Sequence, residues 1–281
     1  MKIAVTGVGG LVGAAIAGDL VSQGHEVVPV RFRLEAPRLQ AQNFSGAQLL
    51  IHAAYDFRSR KPGDIQRINV NGSFALLDAA HAADIRNVIF ISSVSAFVGC
   101  QSFYGKGKLQ VEQRVLASGG LVIRPGMVFG DARQGIFGTL KRLARMPLLP
   151  VFDGGFQPLW FVHREDLAKV VSLIASREWR LLPSPVIAVS ADQPVTFREV
   201  LKTLGLAQGK RAAVFSIPSK LVLGILRFIE LLGLKLPLNS DGLMGLLESN
   251  PNPDFQTLRS LGVVPRALTQ STVLSKMGLV R

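Results

Sequence analysis

The chain has 281 residues and a formal net charge of +13, from 32 lysines and arginines against 19 acidic residues. A hydrophobic fraction of 48% with 28 glycines is typical of a compact α/β protein and excludes a disordered chain. The single cysteine excludes an internal disulfide framework, and the first residues lack the pattern of a secretory signal, so we expect a cytoplasmic protein.

Short apolar runs alternate with helical patterns along most of the chain, which predicts βαβ units and a parallel sheet. The predicted strands are residues 2–6, 26–30, 49–52, 88–92, 121–124 and 186–189. Between them, helical faces are predicted within residues 12–20, 65–76, 104–117 and 167–174. The predicted fold class is α/β, a Rossmann-type doubly wound parallel sheet with a smaller C-terminal substrate lobe.

The predicted dinucleotide-binding core covers residues 1–128 and is completed by roughly 161–190. Glycines and prolines become frequent through residues 130–160, which indicates a change of architecture. The substrate lobe is therefore predicted from 129–160 and 191–281.

The apolar run from Leu221 to Leu238 is too short to span a membrane and is interrupted by Arg227, Glu230, Lys235 and Pro237. One helical face of this run carries Leu221, Ile225, Phe228, Ile229 and Leu232. We expect an amphipathic helix docked on the protein. Peripheral contact with a membrane surface is the alternative, because basic charge beside an apolar stripe favours such contact.

Three glycines follow the first strand and open the first predicted helix. Gly7 permits a tight turn, Gly10 lets a diphosphate approach the backbone, and Gly13 allows close packing of the helix. Free N–H groups at a helix start attract phosphate. The pattern predicts cofactor contacts at Gly7, Gly10, Leu11, Val12 and Gly13, although glycines at such spacing also occur for helix packing alone.

The end of the second predicted strand bears on the choice of cofactor. An acid at this position would hold the ribose 2′-hydroxyl of NAD, and an arginine would accommodate the 2′-phosphate of NADP. Arg31 stands at the strand end and Arg33 follows, whereas Glu35 lies further along. The sequence favours NADP, with NAD as the alternative if these arginines belong to a general basic surface.

Tyr104 and Lys108 lie four residues apart at the start of a predicted helix, so their side chains share one face. A neighbouring ammonium group favours the ionised form of a phenol, whose ordinary pKa is about 10. Ser93 ends an apolar strand 11 residues earlier, where its hydroxyl can hold a substrate oxygen within reach of the phenol. The three residues form the predicted catalytic set.

Seven motifs carry a family resemblance through residues 1 to about 170. They are TGVGGLVG at 6–13, LLIHAAY at 49–55, INVNGS at 68–73, FISSVSAF at 90–97, YGKGK at 104–108, IRPGMVFG at 123–130 and FVHREDLA at 161–168. With these motifs in this order, the chain resembles an extended or closely related atypical short-chain dehydrogenase/reductase of the NAD-dependent epimerase/dehydratase group.

The resemblance implies a role for each matching position. Tyr104 would be the general acid/base, Lys108 would hold the nicotinamide ribose and lower the pKa of that tyrosine, and Ser93 would orient the substrate. Further cofactor contacts are implied for Ala53 and Ala54 through their backbone, for Asn69 near the nicotinamide, and for Arg124 and Pro125 at the nicotinamide pocket. For His163 and Asp166, a structural role and contact with substrate stay open.

Two departures from the family pattern matter. The segment between Arg31 and Leu49 is short and lacks the usual Gly-Asp-x-x-Asp stretch, so the third strand is expected to be absent or residual. Family dehydratases carry an Asp-Glu pair where this chain has Val94 and Ser95, which disfavours elimination. Oxidation, reduction or epimerisation at a secondary alcohol or ketone is therefore expected.

By analogy, supported by the basic charge, the first expectation for the substrate is a nucleotide-linked or lipid-diphosphate-linked sugar. Two alternatives stay open: a non-catalytic dinucleotide-binding assembly or regulatory protein, and a dehydrogenase of an apolar, steroid-like or flavonoid-like alcohol. The sequence has no nucleic-acid-binding module and no zinc-ligand set. Pairing into a homodimer is a further implication of the resemblance.

Overall fold

A computed structural model describes residues 1–35, 41–44, 46–59, 61–130, 135–177, 179–234, 236, 238–250 and 252–274. Lys235 and Pro237, two of the residues predicted to interrupt the apolar run after Leu221, lie outside the described residues.

The strands are, in chain order, β1 Lys2–Thr6, β2 Glu26–Val30, β3 Leu49–His52, β4 Asn87–Ile91, β5 Leu121–Pro125, β6 Met127–Phe129, β7 Leu148–Phe152, β8 Pro158–Leu159, β9 Phe161–His163, β10 Val186–Val189, β11 Val195–Thr196 and β12 Ala213–Ile217. The central sheet has six parallel strands in the order β2-β1-β3-β4-β5-β10. These are the six predicted strands, with bounds shifted by one residue at β4 and extended by one at β5.

The helices are α1 Leu11–Ser22, α2 Pro62–Asp64, α3 Asn71–Ala82, α4 Phe103–Ala117, α5 Gly135–Leu143, α6 Arg164–Ala175, α7 Phe197–Leu206, α8 Ser219–Leu231, α9 Ser240–Leu247, α10 Gln256–Ser260 and α11 Gln270–Leu274. A π-helical stretch, Ile65–Val70, joins α2 to α3. The helical face predicted within residues 65–76 therefore lies on two consecutive helical pieces, the π-helical stretch and the start of α3, rather than on one regular helix.

The central sheet is buried on both faces. In β1, Ile3 and Val5 pack on one side with α1 and α6, whereas Ala4 packs on the other side with α3 and α4. In β5, Ile123 and Val122 alternate in the same way. This period of two, with helices covering both faces, confirms the predicted doubly wound α/β fold.

The segment between β2 and β3 contains one short 3-10 turn, Ala41–Phe44. In its described part, residues 31–35, 41–44 and 46–48, no strand forms, and β2 is the edge of the sheet. The expected absence of a family strand between β2 and β3 is confirmed for these residues. Phe44 of this turn is buried in the core beside the sheet.

A separate apolar cluster is built mainly from residues after Met127. It includes Phe129, Phe137, Leu140, Leu149, Phe161, Phe197, Leu201, Leu204, Leu226, Leu243 and Leu246. Small two-stranded pairs connect this region, with β12 beside β7, β9 beside β6 and β11 beside β8. The numerical boundaries of core and lobe stay a prediction.

Helix α8 occupies much of the predicted apolar run, but it docks through a different face from the expected one. Leu226 is buried in the separate apolar cluster described above. Ile225 and Phe228 are exposed, and the exposed fraction of Phe228 is 62%. The prediction that the face of Leu221 docks on the protein is therefore wrong. Because α8 has apolar residues on more than one face, periodicity alone selected the wrong side. None of the described helices combines the length and hydropathy needed to cross a bilayer.

Candidate active site

The turn after β1 lies directly against the start of the loop that follows β3. Gly7 has a φ of +73°, and a Cβ atom on it would lie 2.9 Å from the backbone of Ala53 and Ala54. A Cβ atom on Gly13 would lie 2.2 Å from the carbonyl oxygen of Gly7. Side chains at either glycine would force the helix away from the sheet, so the turn requires both.

Gly10 is the N-cap of α1. The N–H groups of the first turn, from Leu11, Val12 and Gly13, have no acceptor within the helix because of helix geometry. They lie at the positive end of the helix dipole, where an anion is stabilised. The predicted diphosphate contacts therefore sit on a backbone suited to them.

Arg31 and Arg33 follow β2, the edge strand, and both are exposed. Nη1 of Arg33 lies 3.9 Å from Oε1 of Glu35, a surface pair that restrains the arginine only weakly. The two guanidinium groups are thus available at the carboxyl end of the strand.

A buried hydrogen-bond network lies beneath the glycine turn. Thr6 Oγ1 accepts hydrogen bonds from the N–H groups of Ala53 and Ala54, each at 3.1 Å. The same oxygen lies 2.9 Å from Nδ1 of His52, whose Nε2 lies 2.9 Å from Oγ of Ser73. The N–H groups of the two predicted backbone contacts are therefore bonded to the protein, and the network ties β1, β3 and α3 together.

The histidine of this network is neutral. Burial, and after it the charge of Lys108, lowers the pKa of His52 to about 3. Because Thr6 Oγ1 already accepts two N–H bonds, its own proton points at Nδ1, so Nε2 carries the histidine proton and donates to Ser73. His52 thus supports the loop and takes no part in proton transfer near neutral pH.

Asn69 lies in the π-helical stretch and is buried. Its Oδ1 accepts from the N–H of Asp56 at 2.7 Å, and its Nδ2 donates to the carbonyl oxygen of Asp56 at 3.1 Å. The side chain therefore fixes the loop after β3. Its predicted place near the nicotinamide stays a prediction.

The structure brings the three predicted catalytic side chains together. The side chain of Ser93 lies close enough to Tyr104 to lower the pKa of that phenol. Lys108 is buried, and its Nζ donates to the carbonyl oxygen of Ile91 at 2.8 Å. The sheet end that carries Ser93 thus meets the first turns of α4.

The pKa values of Tyr104 and Lys108 shift in opposite directions. Burial raises the pKa of Tyr104, and the nearby side chain of Ser93 opposes that rise. Burial lowers the pKa of Lys108 to about 7, while the carboxylate of Glu112 opposes the fall. Near neutral pH Tyr104 therefore holds its proton and can donate it.

Aromatic side chains form one wall of the site. The ring of Tyr55 meets that of Tyr104 edge to face, with centroids 5.1 Å apart, and Phe57 stacks 6.3 Å from Tyr104. Nζ of Lys108 lies 4.9 Å from the ring centre of Tyr55. Phe57 is 73% exposed, so the wall presents apolar carbon at the mouth of the site.

A buried ion pair lies behind Lys108. Nε and Nη2 of Arg124 donate to the two carboxylate oxygens of Glu112 at 2.9 and 2.5 Å, and the hydroxyl of Ser92 donates to the same carboxylate. The carbonyl oxygen of Pro125 accepts from the N–H of Val94 at 3.0 Å. Arg124, predicted at the nicotinamide pocket, thus has its side chain committed to α4.

His163 and Asp166 both bind Arg266, from the C-terminal segment. Asp166 accepts a bidentate pair from that guanidinium, with its Oδ1 2.8 Å from Nη2 and its Oδ2 2.9 Å from Nε. Nη2 of Arg266 also lies 2.8 Å from Nδ1 of His163. The sequence left open a structural role or contact with substrate for these two residues. The contacts described here are of the structural kind.

Sequence reasoning missed three side chains of this region: His52, Glu112 and Asp241. Glu112 follows Tyr104 and Lys108 at the same four-residue spacing, so an acid on a buried helical stripe could have signalled it. Asp241 accepts a hydrogen bond from the N–H of Tyr104 across 137 positions of sequence, and no local pattern predicts such a contact.

The description of the site can now be set beside known proteins. The model of the NAD dependent epimerase/dehydratase family matches residues 3–180. The chain belongs to this family. The family is described by the NAD dependence of its epimerases and dehydratases, and the chain spans less than two thirds of the length of several curated relatives that it matches.

Two curated relatives and one solved structure are informative. The chain is 27% identical over 195 residues to a ceramide reductase of Caulobacter vibrioides, a match that covers 69% of this chain and 60% of that protein. It is 25% identical over 252 residues to a 2-alkyl-3-oxoalkanoate reductase of Stenotrophomonas maltophilia, covering 74% and 76%. The structure of MoeE5 in complex with UDP-glucose and NAD has a TM-score of 0.75 at 18% identity, covering 99% of this chain and 97% of that one. This last likeness shows a shared fold.

The residues present fit a dinucleotide cofactor. The start of α1 offers N–H groups to a diphosphate. Nζ of Lys108 donates to Ile91 and has two further N–H donors for hydroxyl groups of a ribose. Bound there, the cofactor supplies hydride chemistry.

Proposed function

We propose that the protein is an NADP-dependent reductase of a ketone flanked by apolar chains. The observation that carries the proposal is the meeting of Ser93, Tyr104 and the buried Lys108 at one end of the sheet, where Nζ of Lys108 donates to the carbonyl oxygen of Ile91. Two neighbouring hydroxyls, one with a raised pKa, are suited to binding and protonating a carbonyl oxygen. A non-catalytic binder has no chemical need for this set.

In the proposed mechanism Ser93 donates a hydrogen bond to the carbonyl oxygen and aligns it with the phenol. Tyr104 then donates its proton to that oxygen as negative charge develops on it. The ammonium group of Lys108 stabilises the phenolate that remains. Val94 and Ser95 supply no acid–base pair for a second proton transfer, so elimination stays disfavoured.

The aromatic wall supports an apolar substrate. Tyr55 and Phe57 present ring carbon beside Tyr104, and the names of both curated relatives specify a lipid-like substrate. The first expectation, a nucleotide-linked or lipid-diphosphate-linked sugar, rested on net charge and family analogy. The substrate class we propose is therefore a 3-oxo compound with alkyl chains.

Oxidation of NADPH tests this function directly. We expect oxidation of NADPH with a 2-alkyl-3-oxoalkanoate bearing medium-length chains. With UDP-glucose or UDP-galactose we expect neither reduction of NADP⁺ nor an epimerised product. Turnover or epimerisation of the UDP-sugars alone would restore the sugar substrate. Tight NADPH binding without turnover of either class would favour the non-catalytic alternative.

The preference for NADP rests on Arg31. We expect Arg31→Ala to raise the Kd for NADPH about tenfold or more and to leave the Kd for NADH within about twofold, since a charge-assisted bond to phosphate contributes roughly 1.5–3 kcal/mol. Fluorescence titration measures both constants. Arg86→Ala removes the same charge from an exposed pair with Asp84 and should change neither. Equal losses for the two cofactors in Arg31→Ala would refute the 2′-phosphate role.

We also propose that α8 rests on an anionic lipid surface. Ile225, Phe228 and Leu231 form an exposed stripe, with Leu231 exposed by 85%, and the exposed Lys220 and Arg227 flank it. Apolar carbon beside basic groups, on a chain of net charge +13, matches the chemistry of such a surface. An apolar substrate would be met at the same lipid surface.

Vesicle co-sedimentation tests the lipid contact. We expect the protein to pellet with phosphatidylglycerol vesicles at low salt, and Ile225→Ser with Phe228→Ser to abolish pelleting. Leu181→Ser with Val264→Ser removes apolar groups elsewhere that are more exposed, by 81% and 82% against 50% and 62%, and should leave pelleting unchanged. Absence of pelleting by the parent protein would end the proposal, and self-association that the first pair of substitutions abolishes would assign the stripe to a second copy of the chain.

A further inference from the structure

The first turn of α4 is held by a carboxylate from the C-terminal part of the chain. Oγ of Ser102 accepts from the N–H of Gly105 at 3.1 Å, as an ordinary N-cap. The two N–H groups before it, from Phe103 and Tyr104, donate to Oδ1 and Oδ2 of Asp241 at 2.5 and 3.2 Å. All three of these N–H groups therefore have an acceptor, and one carboxylate holds two of them.

Helix α9, which carries this carboxylate, is itself fixed at both ends. At its start, the N–H and Oγ of Ser240 donate to the carboxylate of Glu230 in α8 at 2.6 and 2.7 Å. Just after its end, Oε2 of Glu248 accepts from the N–H of Gln101 at 2.9 Å. The carboxylates at the two ends of α9 thus hold the backbone from Gln101 to Tyr104.

We propose that Asp241 is a positioning residue for Tyr104, through which α9 sets the place of the phenol relative to Ser93. The inference rests on the proposed catalytic role of Tyr104. Two bonds to adjacent N–H groups fix the backbone of the residue that carries the phenol. A misplacement of about 1 Å can lower a rate constant by about a hundredfold, so this restraint bears on turnover. Contact between α9 and α4 is then a condition for activity.

Asp241→Asn is the direct test. The amide keeps the shape of the side chain, but its NH2 group faces an N–H donor and one hydrogen bond is lost. We expect faster hydrogen exchange at the N–H groups of Phe103 and Tyr104, a kcat lower by about tenfold or more, and a Kd for NADPH within about twofold of the parent value. The matched control is Glu199→Gln, whose carboxylate accepts from Thr196 at the start of α7.

A second measurement does not need a substrate. The chain has only two tyrosines, so in a Tyr55→Phe background with ring-labelled tyrosine the labelled resonances in an NMR spectrum belong to Tyr104 alone. We expect Asp241→Asn to shift these resonances and Glu199→Gln to leave them in place.

The results separate this inference from the proposed function. Unchanged exchange and unshifted resonances in Asp241→Asn would overturn the inference, as would faster exchange with an unaltered kcat. A comparable loss of kcat in Glu199→Gln would also overturn it, because any lost helix cap would then suffice. Failure of the parent protein to reduce any ketone would count against the proposed function, while exchange and resonances would still decide the role of Asp241.

Discussion

Tyr104→Phe is expected to lower kcat for ketone reduction by about 10²–10⁴-fold, the usual contribution of a positioned acid, and to leave the Kd for NADPH within about twofold. The substitution removes only the hydroxyl that lies beside Ser93 and would donate to the substrate. The ring remains and keeps its contacts with Tyr55 and Phe57. Steady-state oxidation of NADPH, with cofactor titration alongside, measures both quantities.

Tyr55→Phe is the matched control. Tyr55 is the other tyrosine of the chain, and its ring lies 5.1 Å from that of Tyr104. Burial raises the pKa of Tyr55 too, so its hydroxyl also keeps its proton. We expect this variant to retain turnover within about threefold. Turnover at the parent rate by Tyr104→Phe, or loss of turnover in Tyr55→Phe instead, would contradict the assignment.

The sheet could be predicted from the sequence because its signals are local. Each strand is a short apolar run, and alternate residues such as Ile3 and Ala4 enter the two opposite cores. The turn at Gly7 was also predictable, since only glycine fits a positive φ against the backbone of the next strand. The short segment after β2 could be recognised by counting residues.

The contacts that support the site could not be predicted in the same way. His52 could be read as one more residue of a buried strand, yet it binds Thr6 and Ser73 from two other elements. Asp241 meets α4 only because the chain returns to it after more than a hundred residues. Helix α8 shows the same limit, since a helix with apolar residues on more than one face does not reveal which face docks.

Arg124→Met is expected to lower the free energy of unfolding by about 3–5 kcal/mol, because it leaves the carboxylate of Glu112 buried without its ion-pair partner. That carboxylate is almost fully buried, with two bonds from Arg124 and one from Ser92. Glu112→Gln should destabilise by a similar amount, since it leaves the guanidinium group unpaired. Chemical denaturation followed by circular dichroism measures the changes.

A double-mutant cycle separates the pair from its surroundings. The cycle compares Glu112→Leu, Arg124→Met and the double substitution, which replaces both charges by apolar groups. We expect the double substitution to be more stable than Arg124→Met alone, since buried pairs can be exchanged for packed apolar residues at little net loss. The exposed pair of Arg86 and Asp84 is the control, with an expected effect of about 1 kcal/mol or less. A loss below about 1 kcal/mol in Arg124→Met would contradict a stabilising role of this ion pair. A large loss that the double substitution relieves would assign Arg124 to holding α4 on β5, and with it the register of Lys108 and Tyr104 above the sheet.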